Sequence, residues 1–250
     1  MGISACDTQA PGCQNKDLAG LVDISRIYHT TGVNTLPIHL LRYSSDQFQF
    51  YSFAQSGLIC PVAIASSVPR RQAEYFFGRL VARQALKYAG WHDCQIGTGS
   101  YREPQWPDGI IGAITHNNTL AAACVVRSGH LRGVGIDVES ALDVDAITSV
   151  ETVVLSEEEL CALRLLPSLP YPMLLCIVFS AKESFYKALF PTVRRRFGFD
   201  AIQIDMIDTV AGHLKFVIRQ PLCQDWPAGR RGQIDFSLLD METVLTVFAW

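Results

Sequence analysis

The sequence predicts an α+β fold. Two long stretches carry apolar residues at every third or fourth position, and several short β-like runs lie in clusters instead of alternating with those helices. The last 50 or so residues read as strand segments separated by Gly- and Pro-containing turns. A doubly wound sheet requires strict strand–helix alternation, which this order lacks.

In chain order, residues 1–35 are polar, Gly-bearing and without a clear period, so a loosely ordered start is expected. "RRQAEYFFGRLVARQALKY", from Arg70 to Tyr88, gathers Ala73, Phe76, Phe77, Leu80, Val81 and Ala85 into one stripe and predicts a helix. "GTGSYREPQWPDG" is a loop dense in Gly and Pro. "IIGAI", "LAAACVV" and "GVGIDVE" follow as short strands, the last two separated by a turn at Ser128 and Gly129. "LSEEEL" starts a helix, and a long one is predicted over Met173 to Phe190, with Leu174, Ile177, Val178, Ala181, Phe185, Ala188 and Leu189 on its apolar side. "AIQIDMID", "HLKFVIRQ", "GQIDFSLL" and "TVLTVFAW" form an antiparallel meander. The expected organisation is a loose segment (1–35), a half containing the basic helix (36–132) and a second half (133–250).

A chain of 250 residues can bury a substantial core. Its net charge of -3 offers no general attraction to nucleic acid or anionic lipid, so any basic function must rest on local clusters. Eight cysteines are spread without a C-x-x-C pair, which argues for reduced thiols over a disulfide frame or zinc site. The first residues show neither a basic nor an apolar signal region, and the longest apolar run is broken by Pro167, Pro170 and Pro172. A soluble, cytoplasmic, monomeric protein is expected.

The chemistry concentrates in a few places. In "GVGIDVES", Val134, Ile136 and Val138 share one strand face while Asp137 and Glu139 share the other, roughly 6.5–7 Å apart. Two acids on a strand usually face water; a hard cation such as Mg²⁺ is the alternative reason for pairing like charges. In "FSAKESFYKAL", Glu183 and Lys187 lie four apart, opposite the apolar stripe, a spacing that by itself makes only a surface ion pair. Ser180 and Glu183 have capping-box spacing, but the apolar period continues upstream and argues against a helix start there. Arg79, Arg83 and Lys87 recur every four residues: a solvated face, or a row that grips phosphates. His116 closes a strand at a turn, where imidazole either satisfies local structure or reaches a ligand.

Together, "RRQAEYFFGRLVARQAL", "REPQWPDG", "ITHN", "GVGIDVE" and "FSAKESFYKAL" resemble, in order and spacing, the 4'-phosphopantetheinyl transferases, especially the bacterial enterobactin-synthetase-associated type and less closely the surfactin type. The resemblance implies two similar α+β halves with coenzyme A between them. It implies transfer of the phosphopantetheine arm to a serine of an apo acyl- or peptidyl-carrier protein, with release of 3',5'-ADP. It makes Asp137, Glu139 and Glu183 the Mg²⁺ ligands, Glu183 (or a water it orients) the base, and Lys187 a diphosphate contact or acid. Thr115 and His116 match coenzyme A contacts of the family, Thr115 in place of the usual Ser. Arg79, and with them Arg83 and Arg102, would hold the 3'-phosphate or diphosphate. Glu103 stands where surfactin-type enzymes place Lys, and Phe179 where Trp is common. The basic run Arg194–Arg196 is the expected docking place for an acidic carrier protein.

The motifs of P-loop enzymes, zinc metalloproteases and dinucleotide-binding folds are missing from the sequence. Two readings stay open beside the transferase: another Mg²⁺-dependent nucleotidyl- or phosphotransferase, and a non-catalytic module that binds coenzyme A or a carrier protein.

Overall fold

The computed structural model describes residues 18–31, 34–92 and 95–250. The chain divides into two compact units, one ending at Arg132 and one running from Gly133 to Trp250.

The first unit is a four-stranded antiparallel sheet crossed by one long helix. Its strands are β1 (Leu21–Thr31), β2 (Asn34–Tyr43), β5 (Ile110–His116) and β6 (Leu120–Arg127), in the order β1-β2-β6-β5; β3 (Gly97–Thr98) and β4 (Pro104–Gln105) form a small separate hairpin. Two short helices, α1 (Ser52–Ser56) and α2 (Val62–Ala65), precede α3 (Pro69–Tyr88). Pro69 opens α3, where its missing N–H costs nothing and its fixed φ suits the first turn. The predicted stripe of α3 is buried: Phe76, Phe77, Leu80 and Val81 pack with Leu41, Tyr43, Ala121 and Ala123. Small residues on β6 admit the helix's large ones, which is how facing surfaces reach crystal-like density.

One expectation fails here. The sequence from Leu21 to Thr31 is not loose but forms the longest strand among the described residues, paired with β2 from Thr31↔Asn34 to Leu21↔Tyr43. Its apolar residues do not alternate, because as an edge strand it takes register from its partner. The rest of the expected loose segment, through residue 17 and at 32–33, lies outside the described residues.

The second unit is a five-stranded antiparallel sheet, ordered β7-β11-β10-β9-β8. Its strands are β7 (Val134–Ser140), β8 (Ile202–Asp208), β9 (His213–Ile218), β10 (Arg231–Leu238) and β11 (Thr243–Ala249). The expected C-terminal meander therefore continues sideways into β7. Between β7 and β8 come α4 (Val144–Val154), α5 (Glu157–Arg164) and α6 (Tyr171–Val193). The sequence reading missed α4. It did find the start of α5, where Ser156 and Glu159 make a reciprocal capping box. Ser180 caps nothing: it lies inside α6, its hydroxyl 2.9 Å from that of Thr246. The core is aromatic, with Phe185 of α6 meeting Phe216, Trp226 and Phe248 at centroid distances of 5.0, 5.9 and 5.2 Å. Among the described residues no helix is long and apolar enough to cross a membrane.

Candidate active site

Two glycines explain how α6 reaches β7. A Cβ on Gly133 would lie 2.2 Å from the carbonyl oxygen of Ala188, and one on Gly135 1.8 Å from that of Ser184. The helix backbone thus rests directly on the strand, at a separation only glycine permits. Helix and strand run in opposite directions, since Cys176 Sγ, two turns earlier, donates to the Ser140 carbonyl at 3.2 Å. The face that carries Gly133 and Gly135 also carries Asp137 and Glu139. Both acids are therefore turned toward α6 and not toward water: Asp137 is 2% exposed and Glu139 half-buried. Opposite Asp137 on β11 stands Thr246, fully buried.

From α6, Lys187 donates to Asp137 Oδ1 at 2.6 Å. Glu183, one turn earlier and half-buried, completes the group. Burial, then the charge of Asp137, raises the Glu139 carboxyl to about 8; Glu183 adds to this and Lys187 opposes it. Burial raises Glu183 as well, against the pull of Lys187 and with a further push from Asp137. These mutual effects put the three carboxylates and one ammonium within electrostatic reach of one another. Like charges so placed favour a cation. As the side chains stand, no three His, Cys, Asp or Glu residues among those described form a set that could hold a metal ion, and the cation on Asp137 is Lys187. The donor set nevertheless has the hard anionic oxygens that Mg²⁺ selects.

Beside Glu183 lies a cavity of about 220 Å³, lined among others by Lys182, Tyr186, Arg196, Phe197 and Phe199. Lys182, part of the "FSAKESFYKAL" motif but given no role from sequence, is 3% exposed and donates to Glu159 at 2.8 Å and to the Val154 carbonyl at 2.7 Å. Glu159, 2% exposed, also accepts from the backbone N–H of Ser156 and of Ile204. Removing one partner of such a buried pair costs on the order of 3–5 kcal/mol.

The first unit holds a second polar cluster. Gly78 lets α3 approach β5 closely; a Cβ there would meet Ile114 at 3.3 Å and His116 at 3.9 Å. One and two turns before Gly78, Glu74 and Arg71 reach His116: Arg71 Nη1 lies 3.1 Å from its Nε2, and Glu74 Oε2 3.9 Å from its Nδ1. A guanidinium only donates, so Nε2 accepts and the proton belongs on Nδ1. Arg71 also pairs with Glu74 at 3.0 Å, and Arg70 joins Glu74 to Asn118. Thr115 is 3% exposed in β5.

Residues 61–126 match the 4'-phosphopantetheinyl transferase N-terminal domain, and residues 133–232 match the 4'-phosphopantetheinyl transferase superfamily domain. The chain belongs to the 4'-phosphopantetheinyl transferase superfamily. Among curated relatives it is 34% identical over 145 residues to enterobactin synthase component D of Salmonella typhi, covering 58% of this chain and 59% of that protein. It is 37% identical over 142 residues to the 4'-phosphopantetheinyl transferase PptT of Mycobacterium tuberculosis, covering 56% and 61%. Svp of Streptomyces mobaraensis, also a 4'-phosphopantetheinyl transferase, is 32% identical over 151 residues, covering 60% of each. The chain thus spans about three fifths of the length of these relatives.

In this transferase-superfamily chain, the expected site residues fall into three groups. Asp137, Glu139, Glu183 and Lys187 come together, and His116 and Thr115 end β5 beside α3. The basic row on α3 does not behave as one solvated face. Arg79 is 8% exposed, stacks on Tyr75, and donates to the Gly97 carbonyl at 3.2 Å and Thr98 Oγ1 at 3.0 Å. Arg83 is half-buried and donates to the Ser56 carbonyl at 2.6 Å, and only Lys87 is exposed. The four-residue spacing was right about the helix face, but β3 covers Arg79 and α1 covers Arg83, leaving Lys87 exposed. Arg102 is exposed in the hairpin joining β3 to β4, with a left-handed φ of 71°. Sequence reading passed over Arg71, which falls on the same four-residue row as Arg79, because Tyr75 interrupts the run of basic residues between them; only the fold shows its contact with His116.

Proposed function

We propose that this protein transfers the 4'-phosphopantetheine arm of coenzyme A to a serine hydroxyl of an apo acyl- or peptidyl-carrier protein. The observation that carries this reading is the group of Asp137, Glu139, Glu183 and Lys187 on touching segments of β7 and α6, inside the residues that match the superfamily. Curated relatives carry the names 4'-phosphopantetheinyl transferase and enterobactin synthase component D, in line with it. The reading includes the expectation of two like halves serving one co-substrate.

The carrier serine oxygen attacks the phosphorus that bears pantetheine, forming a new P–O bond while the P–O bond to the leaving 3',5'-ADP breaks. Glu183, directly or through a water, takes the serine proton; burial raises its carboxyl above the ordinary carboxylate range, which makes it the better proton acceptor. Lys187 steadies the diphosphate and the charge that grows on the leaving phosphate. Asp137, Glu139 and Glu183 would hold Mg²⁺, which when bound supplies further neutralisation of that charge. Arg71 and His116 offer donors for a phosphate of the nucleotide. Arg79 adds Nε, a buried donor without a hydrogen-bond partner. Thr115, Arg83 and Arg102 remain candidate coenzyme A contacts, the last two with weaker support: Arg83 is already engaged with Ser56, and Arg102 projects from a hairpin. For the carrier, Arg196 lines the cavity beside Glu183, just past the end of α6, which supports docking at Arg194–Arg196.

Mass analysis of an apo carrier protein incubated with coenzyme A, Mg²⁺ and this protein tests the proposal. Gain of one phosphopantetheine group is expected, together with its loss in Asp137→Asn. Binding of coenzyme A or carrier without modification would make the chain a binding module instead.

A further inference from the structure

We propose that the buried pair Glu159–Lys182 is a positioning device: it holds the turn of α6 bearing Glu183 and the adjoining wall of the cavity in one geometry, and turnover depends on it although neither residue is assigned a substrate contact. This inference rests on the transferase reading above. Its basis is where the bonds go. Lys182 immediately precedes Glu183 on α6, so whatever fixes one fixes the rotation of the other about the helix axis. The Lys182 ammonium binds the last carbonyl of α4, Val154, and the Glu159 carboxylate of α5. The same carboxylate accepts from Ser156 at the start of α5 and, at 2.7 Å, from Ile204 in β8. Ile204 borders the irregularity in the β8–β9 register, where the ladder leaves room for an outside acceptor. Ala201 and Ile202, just upstream, line the cavity beside Glu183. One carboxylate and one ammonium thus tie three elements, α4, α5 and β8, to the turn of α6 that carries the base.

Filling space does not require this arrangement, because a well-packed apolar pair serves a core at least as well as a buried ion pair. What an apolar pair lacks is direction: hydrogen bonds of fixed geometry set the helix's rotation, whereas dispersion contacts tolerate slippage.

The test compares wild type with Glu159→Gln and with the double variant Glu159→Gln/Lys182→Met. Gln preserves the capping box, since Glu and Gln both serve at that position, and Met keeps the bulk of Lys without its charge. The double variant should melt within a few degrees of wild type, with kcat at least tenfold lower and KM for coenzyme A within about twofold. Glu159→Gln alone should show the same split, and it decides the matter if the double variant does not fold. Wild-type kcat in either folded variant overturns the positioning role, leaving the pair as packing. A wild-type protein that modifies no apo carrier overturns the transferase reading itself, and this role with it.

Discussion

Arg71 and Arg79 show how little spacing says about a side chain's task. They lie eight residues apart on one helix. Arg79 has spent two donors on the β3 strand, whereas Arg71 meets His116, the residue matching a family coenzyme contact. If the cluster reads the 3'-phosphate, Arg71→Ala should raise KM about tenfold or more for coenzyme A and leave KM for 3'-dephospho-coenzyme A nearly unchanged. Equal losses for the two substrates would move that contact elsewhere. Arg79→Ala should in addition lower the melting temperature, since it unties Gly97 and Thr98 and empties a buried site. Asp137 corrects a related expectation: an acid on a strand face is usually exposed and dispensable to folding, but this one is buried against Lys187. Asp137→Asn keeps its shape, whereas Asp137→Ala would disturb packing as well as charge.

At the scale of elements, the contact of β7 with α6 decides where the acids sit. Gly135→Ala would drive a methyl carbon into the Ser184 carbonyl and the Ala188 amide, 1.8 and 2.7 Å away, and neither is a flexible side-chain end. The helix must lift. Overpacking of this kind costs about 1–3 kcal/mol, and roughly 2–4 °C of melting temperature accompanies each kcal/mol in chains of this size. A fall on the order of 5 °C is expected, together with a loss of turnover beyond it, because Glu183 and Lys187 move with the helix. Thermal melting and single-turnover transfer measured on the same sample check both parts. Unchanged melting and turnover would show that α6 does not depend on this contact.

Across the whole molecule, each unit carries its own core, and that of the first is bordered by a buried histidine. In the first unit His39 is 6% exposed, paired across β1 with Arg26 and 5.4 Å from the Tyr88 ring. Burial, with help from the Arg26 charge, lowers its pKa from 6.5 to about 4. Between those values the unfolded chain binds a proton there and the folded unit does not. Stability from this group is thus complete above pH 6.5 and is lost as pH falls toward 4. At pH 5 the loss is about 2 kcal/mol. Melting of wild type and His39→Leu at pH 7.5 and pH 5 should show the larger acid loss in wild type; parallel losses would mean that His39 does not titrate in this window.

Periodicity disclosed α3 and α6, because a helix with one buried face must repeat its apolar residues at about 3.6, while a helix-start signal marked α5 and Gly- and Pro-containing turns marked the C-terminal meander. Local motifs likewise marked Asp137, Glu139, Glu183, Lys187 and His116, since the chemistry of metal and phosphate demands those residue types. β1 stayed hidden, as an edge strand's order comes from a partner chosen by the tertiary fold. So did Arg71, Lys182 and Glu159, whose partners lie 45 and 23 residues away in sequence. Above all, the sequence determined that two acids share a strand face, and only the tertiary structure decided what that face meets. Two glycines let a helix settle on it, and burial then turned a like-charged pair into a site that holds an ammonium.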